Sequence, residues 1–280
     1  MMSYTIGHLL RVRGAAGMRT LLLLTVLCML GNRPATAATV MVTLPPLSGL
    51  VVMLDAQVQV DCLLPGGADP HHFSLPPKQI EALKAADMLL RTSWDDGGWP
   101  IPARHAHQLD LWPQRDHAWL SPKAVATILP RLAERLAALN PDHADAIHAA
   151  LPTALQRVQA TAQAWQQTLS ARGVRAVVMQ HPAWRRMMAD AGVPVLAVLE
   201  SGHHGGEFTP RQLERALVQI NAHPHTWLIA NAGHHNNALR WLASHAAVTP
   251  PTVTLDALGQ CGQPWPALMQ GNLDRLRRAP

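Results

Sequence analysis

Tyrosine and phenylalanine are nearly missing: the chain has one Tyr and two Phe against nine Trp. The tryptophans must therefore supply the large rings of any core, and we read them as core packing rather than as a cofactor box. Cysteine is scarce as well, with three in all. Cys28 falls in the leader set aside below, which leaves Cys62 and Cys261. In an oxidising compartment these two form one disulfide or stay singly buried, and the sequence alone leaves both open. Charged residues make up only 15% of the chain. No basic cluster stands out among them, which argues against a nucleic-acid or membrane-surface role. No repeat of fixed period and no low-complexity tract is found. The apolar run Leu21 to Leu30 is too short to anchor the chain permanently in a bilayer.

That run has another use. Arg19, the apolar run and the small-residue triplet Ala35-Thr36-Ala37 have the order of a secretory signal peptide, so residues 1–37 are expected to be a leader, with Met18 as an alternative initiator. Without the leader, the formal charge of +5 loses Arg11, Arg13, Arg19 and Arg33 and falls to +1. The expected product is a soluble periplasmic protein beginning near Ala38.

What the remaining chain has in excess is histidine. Of 16 in total, all but His8 lie beyond the leader. Alternation at Val58, Val60, Cys62 and Leu64 predicts a strand, Pro77 onward a helix, and Met88 to Thr92 the next strand. Residues 93–116 are loop-like. Ser121-Pro122 caps a helix with an apolar stripe from Val125 to Leu139, and a long helical stretch follows from Asn140-Pro141 to about Ala171. Beyond it, four apolar runs (Arg175 to Met179, Pro194 to Leu199, Thr226 to Ala230 and Thr252 to Leu255) alternate with helical segments near 183–191, 209–222 and 236–246. This is the pattern of a parallel α/β sheet.

In such sheets ligands bind beyond the carboxyl ends of the strands. His181, Glu200, Asn231 and Asp256 follow the four later strands, His71 lies on the loop after the first predicted strand, and His117 precedes the capped helix. Two facing lobes would bring His71, His117, His181 and Asp256 around one point. Glu200 and Glu207 are reserve carboxylates, and the pairs His203-His204 and His234-His235 invite an accessory metal site or are simply solvated. Trp119 and Trp184, close to the proposed ligands, are expected to wall the site against water.

With these residues in view, the chain resembles the zinc/manganese solute-binding proteins of bacterial ABC importers, the TroA-like group. "GADPHHFSL", "DHAWLSP", "QHPAW" and "LDALG" are similar to that family's four ligand-bearing segments, in the same order across residues 56 to 259. The resemblance implies two α/β lobes with parallel sheets joined by a long rigid helix, with a metal site in the interlobe cleft. The lobes would be residues 38–140 and 173–280, and the joining helix 141–172. It implies His71, His117, His181 and Asp256 as ligands, Zn²⁺ as cargo with Mn²⁺ as second candidate, a monomer, no enzymatic activity, and an inner-membrane ABC permease as transient partner. The residue chemistry agrees, since three imidazoles and one carboxylate suit tetrahedral zinc. Arg115-Asp116 departs from the acid-proline pair usual before the second histidine. The family's long His-rich loop is missing, with His105 and His107 as a short remnant. Two other functions stand beside this one: a periplasmic zinc buffer without a transporter, and a zinc hydrolase using Glu200 or Glu207 as base.

Overall fold

The computed structural model describes residues 38–70, 72–92, 99, 101, 105, 107–112, 117–200 and 209–280. Residues 1–37, expected to be a leader, and His71, His203, His204 and Glu207 lie outside the described residues.

Each half is built on a four-stranded parallel sheet. The first contains β1 (Thr39–Val42), β2 (Gln59–Cys62), β3 (Met88–Arg91) and β4 (Gln108–Asp110), in the order β2-β1-β3-β4. The second contains β5 (Ala176–Met179), β6 (Val195–Val198), β7 (Thr226–Asn231) and β8 (Thr252–Leu255), in the order β6-β5-β7-β8. The two halves thus repeat one topology, although no sequence repeat betrays it. Inner strands are mostly apolar because helices cover both faces: Val40, Met41 and Val42 of β1 and all of β5 and β7 are buried. Edge strand β2 instead alternates exposed Gln59 and Asp61 with half-buried Val60 and Cys62, which is why its period was visible. Strand β4 lies inside the stretch expected to be loop. It is three residues long and pairs with β3 through Leu90 and Leu109, too short to show a period among polar neighbours.

The helices are α1 (Pro45–Leu54), α2 (Pro77–Ala85), α3 (Pro122–Leu139), α4 (Ala144–Ala171), α5 (Arg185–Asp190), α6 (Pro210–Ala222), α7 (Asn237–His245) and α8 (Trp265–Arg278). Ser121 caps α3: its Oγ accepts from Ala124 N at 3.1 Å and donates to Asp190 of α5, so the cap is also a bond between the halves. Thr209 and Gln212 form a capping box at α6, with Pro210 at the first position. The 28 residues of α4 extend for about 42 Å. Its buried stripe of Ile147, Ala154, Val158, Trp165 and Leu169 packs on α1, α3 and α8, elements of both halves. No described helix is long and apolar enough to cross a membrane.

The halves are joined closely. Trp119 Nε1 donates to Ala257 O at 2.8 Å, and Trp265 Nε1 donates to Trp119 O at 2.6 Å. Cys62, at the end of β2, is disulfide-bonded to Cys261 beyond β8, with Cα atoms 5.9 Å apart. Gly49 of α1 lies so near the start of α8 that a Cβ there would overlap Gln263 O and stand 2.8 Å from Trp265 N. Because backbone atoms on both sides cannot yield, Gly49→Ala should destabilise the fold by about 1–3 kcal/mol, read as a lower urea midpoint at unchanged slope.

Candidate metal centre

The carboxyl ends of the two sheets face one cavity of about 130 Å³, bordered by Asp69, Pro70, His117, His181, His234 and Asp256 among others. Every one of these follows a strand, as the topology requires. In the first half, Gly67 adopts φ +79°, a conformation open to glycine at little cost, and turns the chain so that Asp69 and Pro70 reach the cavity. Trp99, itself buried, donates through Nε1 to Pro70 O at 3.1 Å and helps hold this loop. His72 is 85% exposed and bonds to Asp69 at 2.6 Å, which sets it apart from the cavity wall.

His117 sits at φ 54°, ψ 44°, in the left-handed region where a non-glycine residue costs of order 1–3 kcal/mol. The short helical turn Ala118–Leu120 and the capped α3 hold it there, and its ring lies 5.0 Å from that of Trp119. Across the cavity, His181 leaves β5 and is 5% exposed. The two Nε2 atoms, one from each half, are 3.0 Å apart, with the rings nearly perpendicular at 87°. His181 Nδ1 donates to Glu200 Oε2 at 2.9 Å, and Gln180 Nε2 donates to Glu200 Oε1 at 3.0 Å. A carboxylate only accepts, so Nδ1 of His181 carries the proton and Nε2 presents its lone pair to the cavity.

Glu200 holds a second imidazole as well, with His234 Nδ1 3.5 Å from Oε2 and the His181 and His234 rings 4.7 Å apart. Burial pushes the Glu200 carboxyl up, but hydrogen bonds from His181, His234 and Gln180 outweigh it and hold it well below the usual carboxylate range. Glu200 in turn raises His234 above the ordinary imidazole value, against the opposing effect of burial.

Asp256 ends β8. Its Oδ1 accepts from Leu258 N at 3.0 Å and Gly259 N at 2.9 Å, while Asn272 Oδ1 accepts from its backbone N–H at 2.7 Å. The turn-capping role open to this aspartate and a place on the cavity wall are therefore both filled by the same side chain.

Of the four residues expected to converge, His117, His181 and Asp256 share the cavity, and His71 lies outside the described residues next to cavity-lining Pro70. Glu200, held in reserve as a ligand, sits behind His181. Of the pair His234-His235, His234 borders the cavity and His235 is exposed. Trp119 walls the cavity as expected, but Trp184 does not: fully buried, it stacks on Trp165 with ring centroids 5.4 Å apart, in the core between α4 and α5. His105 belongs to the fold, bonding Ala86 O at 2.9 Å just ahead of β4. Sequence reasoning missed the joint hold of Glu200 on two histidines. The available signal was that Glu200 closely follows β6 and Asn231, three residues before His234, ends β7, both strands neighbouring the one before His181.

Comparison with known proteins agrees with this architecture. A proposed metal-binding protein of Chlamydia muridarum is 26% identical over 210 residues, covering 69% of this chain and 75% of its own. The crystal structure of ZnuA superposes with a TM-score of 0.72 at 21% identity, covering 87% of this chain and 99% of that one. The solute-binding protein FpvC of Pseudomonas aeruginosa, solved with Ni²⁺ and with Mn²⁺, gives 0.71 in both cases at 20% and 19% identity, covering 87% of this chain and 96% and 98% of the other. Residues 40–279 match the family described as zinc-uptake complex component A, periplasmic, a description of a transport component and not of an enzyme. The chain, with its two parallel sheets facing a histidine-lined cavity, belongs to that family.

Proposed function

We propose that the protein captures Zn²⁺ between its lobes, with His71, His117, His181 and Asp256 as ligands, and delivers it to an ABC permease of the inner membrane. In this reading residues 1–37 direct export to the periplasm, and the mature chain acts as a monomer. The observation that carries it is the pair of imidazole Nε2 atoms, 3.0 Å apart and contributed by opposite halves. Two ligands of one tetrahedral zinc at about 2.0–2.1 Å lie about 3.3–3.4 Å apart, so a small adjustment seats both on one ion. Asp256 would coordinate through Oδ2, its Oδ1 being held by the loop. Three nitrogens and one oxygen favour zinc over manganese, while availability and geometry set the final selectivity. FpvC, of the same fold, has been solved with Ni²⁺ and Mn²⁺, so the choice of ion needs direct measurement. The Trp119, Trp265 and Cys62–Cys261 links restrict how far the lobes can part, so release would proceed through a small opening when the permease docks.

The test is competitive titration of metal-stripped protein with Zn²⁺ and Mn²⁺ against a chelator of known affinity. One zinc per chain, bound more tightly than manganese, is expected; preference for manganese or absence of tight binding contradicts the reading. Zinc affinity should also fall with pH. His234 takes up its proton at a higher pH than an ordinary imidazole, and the resulting positive charge beside the cavity opposes a cation. Weakening should therefore set in at a higher pH than an ordinary imidazole would give and deepen as pH falls, because an imidazole must be unprotonated to bind a metal. A pH-independent affinity between 5 and 8 would contradict imidazole ligation.

A further inference from the structure

We infer that the cleft contains a second, alternate metal position built from His181, Glu200 and His234. This rests on the proposed function in one respect only, that His181 belongs to the interlobe cage. One donor atom from each of the three residues lies within 4.8 Å of the others, close enough for small side-chain adjustments to bring them onto a single ion. Glu200 Oε2 is already 2.9 Å from His181 Nδ1 and 3.5 Å from His234 Nδ1. Two imidazoles and one carboxylate form a three-donor set that leaves coordination positions open, which suits a divalent transition ion still carrying water or a small exogenous chelator.

All three residues come from the second half, after β5, near the end of β6 and after β7. This position can therefore be filled without any contribution from the first half, whereas the cage of His71, His117, His181 and Asp256 needs both. Glu200 and His234 are also more accessible, at 16% and 15% exposed side chain against 5% for His181. His181 serves the cage through Nε2 and the alternate position through Nδ1. A neutral imidazole has only one lone pair to give, so the two positions exclude each other and the chain holds one ion at a time. The alternate position is thus a station for capture or release: an ion lands on the second half and moves into the cage as His181 changes the nitrogen it offers.

Co²⁺ is the probe, because its visible absorption is strong in four-coordinate sites and weak in five- or six-coordinate ones. In the His117→Ala/Asp256→Ala double variant the cage is broken. Residual binding of one Co²⁺ per chain with weak absorption is expected, and adding His234→Ala should lower that residual affinity at least about tenfold. Glu200→Gln in the same background should act likewise, and far-UV circular dichroism checks that each variant is folded. Absence of residual binding, or residual binding indifferent to both added substitutions, overturns the alternate position. Failure of the cage looks different: the double variant would then bind as tightly as the unsubstituted protein, and the effect of His234→Ala would still decide the alternate position.

Discussion

In the His181→Ala variant zinc affinity is expected to fall by about two to three orders of magnitude. Four-ligand protein zinc sites are worth about 10–16 kcal/mol, so an even share is about 2.5–4 kcal/mol per ligand, or roughly 10²–10³ in affinity. His181 should lie at the upper end. It faces His117 through one nitrogen and Glu200 through the other, so its removal takes away a donor and leaves the half-buried Glu200 charge with one imidazole fewer. His117→Ala should cost nearly as much. Glu200→Gln keeps the volume and one acceptor but weakens the grip on His181 Nδ1, and an outer partner of this kind is worth about 10–100-fold. Chelator competition at fixed pH measures all three. The expected order is His181 first, His117 close behind and Glu200 weakest. A Glu200 effect as large as that of His181 would make Glu200 a direct ligand of the main site, and an unchanged affinity in both histidine variants would remove the site altogether.

The second large effect is on stability. Cys62 and Cys261 are separated by 199 positions, and their bond ties an edge strand of the first sheet to the loop after the last strand of the second. Constraining so long a loop in the unfolded chain gives about 5 kcal/mol on the chain-entropy model, of which bridges usually deliver about 2–4 kcal/mol. At about 2–4 °C per kcal/mol for a domain of this size, a Cys62→Ser/Cys261→Ser variant should melt roughly 10 °C lower. The effect is also local to the cleft. Gln260, next to Cys261, borders the cavity and lies against Gly66 of the first-half loop. Freed from the bridge, the two loops can part, and zinc should dissociate faster from the variant than from the oxidised protein. Calorimetry with and without reductant, and chelator-quenched zinc release, measure the two consequences. An unchanged melting temperature on reduction contradicts the constraint argued for this bond.

How much of this was legible in the sequence depended on whether local pattern or distant pairing decides. The strands of the second sheet were readable because apolar runs such as Ala176–Met179 and Thr226–Ala230 alternate with helical segments. Strand β4 was not, since three residues carry no period and only their ladder with β3 makes them a strand. His117, His181 and Asp256 could be singled out because each sits next to a predicted element in a motif of its own. Glu200 and His234 form a unit only because β6, β5 and β7 lie side by side, an order that alternation along the chain does not report. Trp184 was misplaced for a similar reason. Its distance along the chain from His181 is short, but the turn at Pro182–Trp184 directs the ring onto Trp165 and away from the cavity. The disulfide stayed open because two cysteines in distant halves meet only once the halves are assembled.

The central claim is that side chains from opposite halves close on one divalent ion. Anomalous scattering at the zinc edge from crystals of the zinc-loaded protein tests it most directly. A single strong peak is expected between the halves, at about 2.0–2.2 Å from Nε2 of both His117 and His181 and from Asp256 Oδ2. A peak bound by residues of one half alone, or none in the cavity, would contradict it.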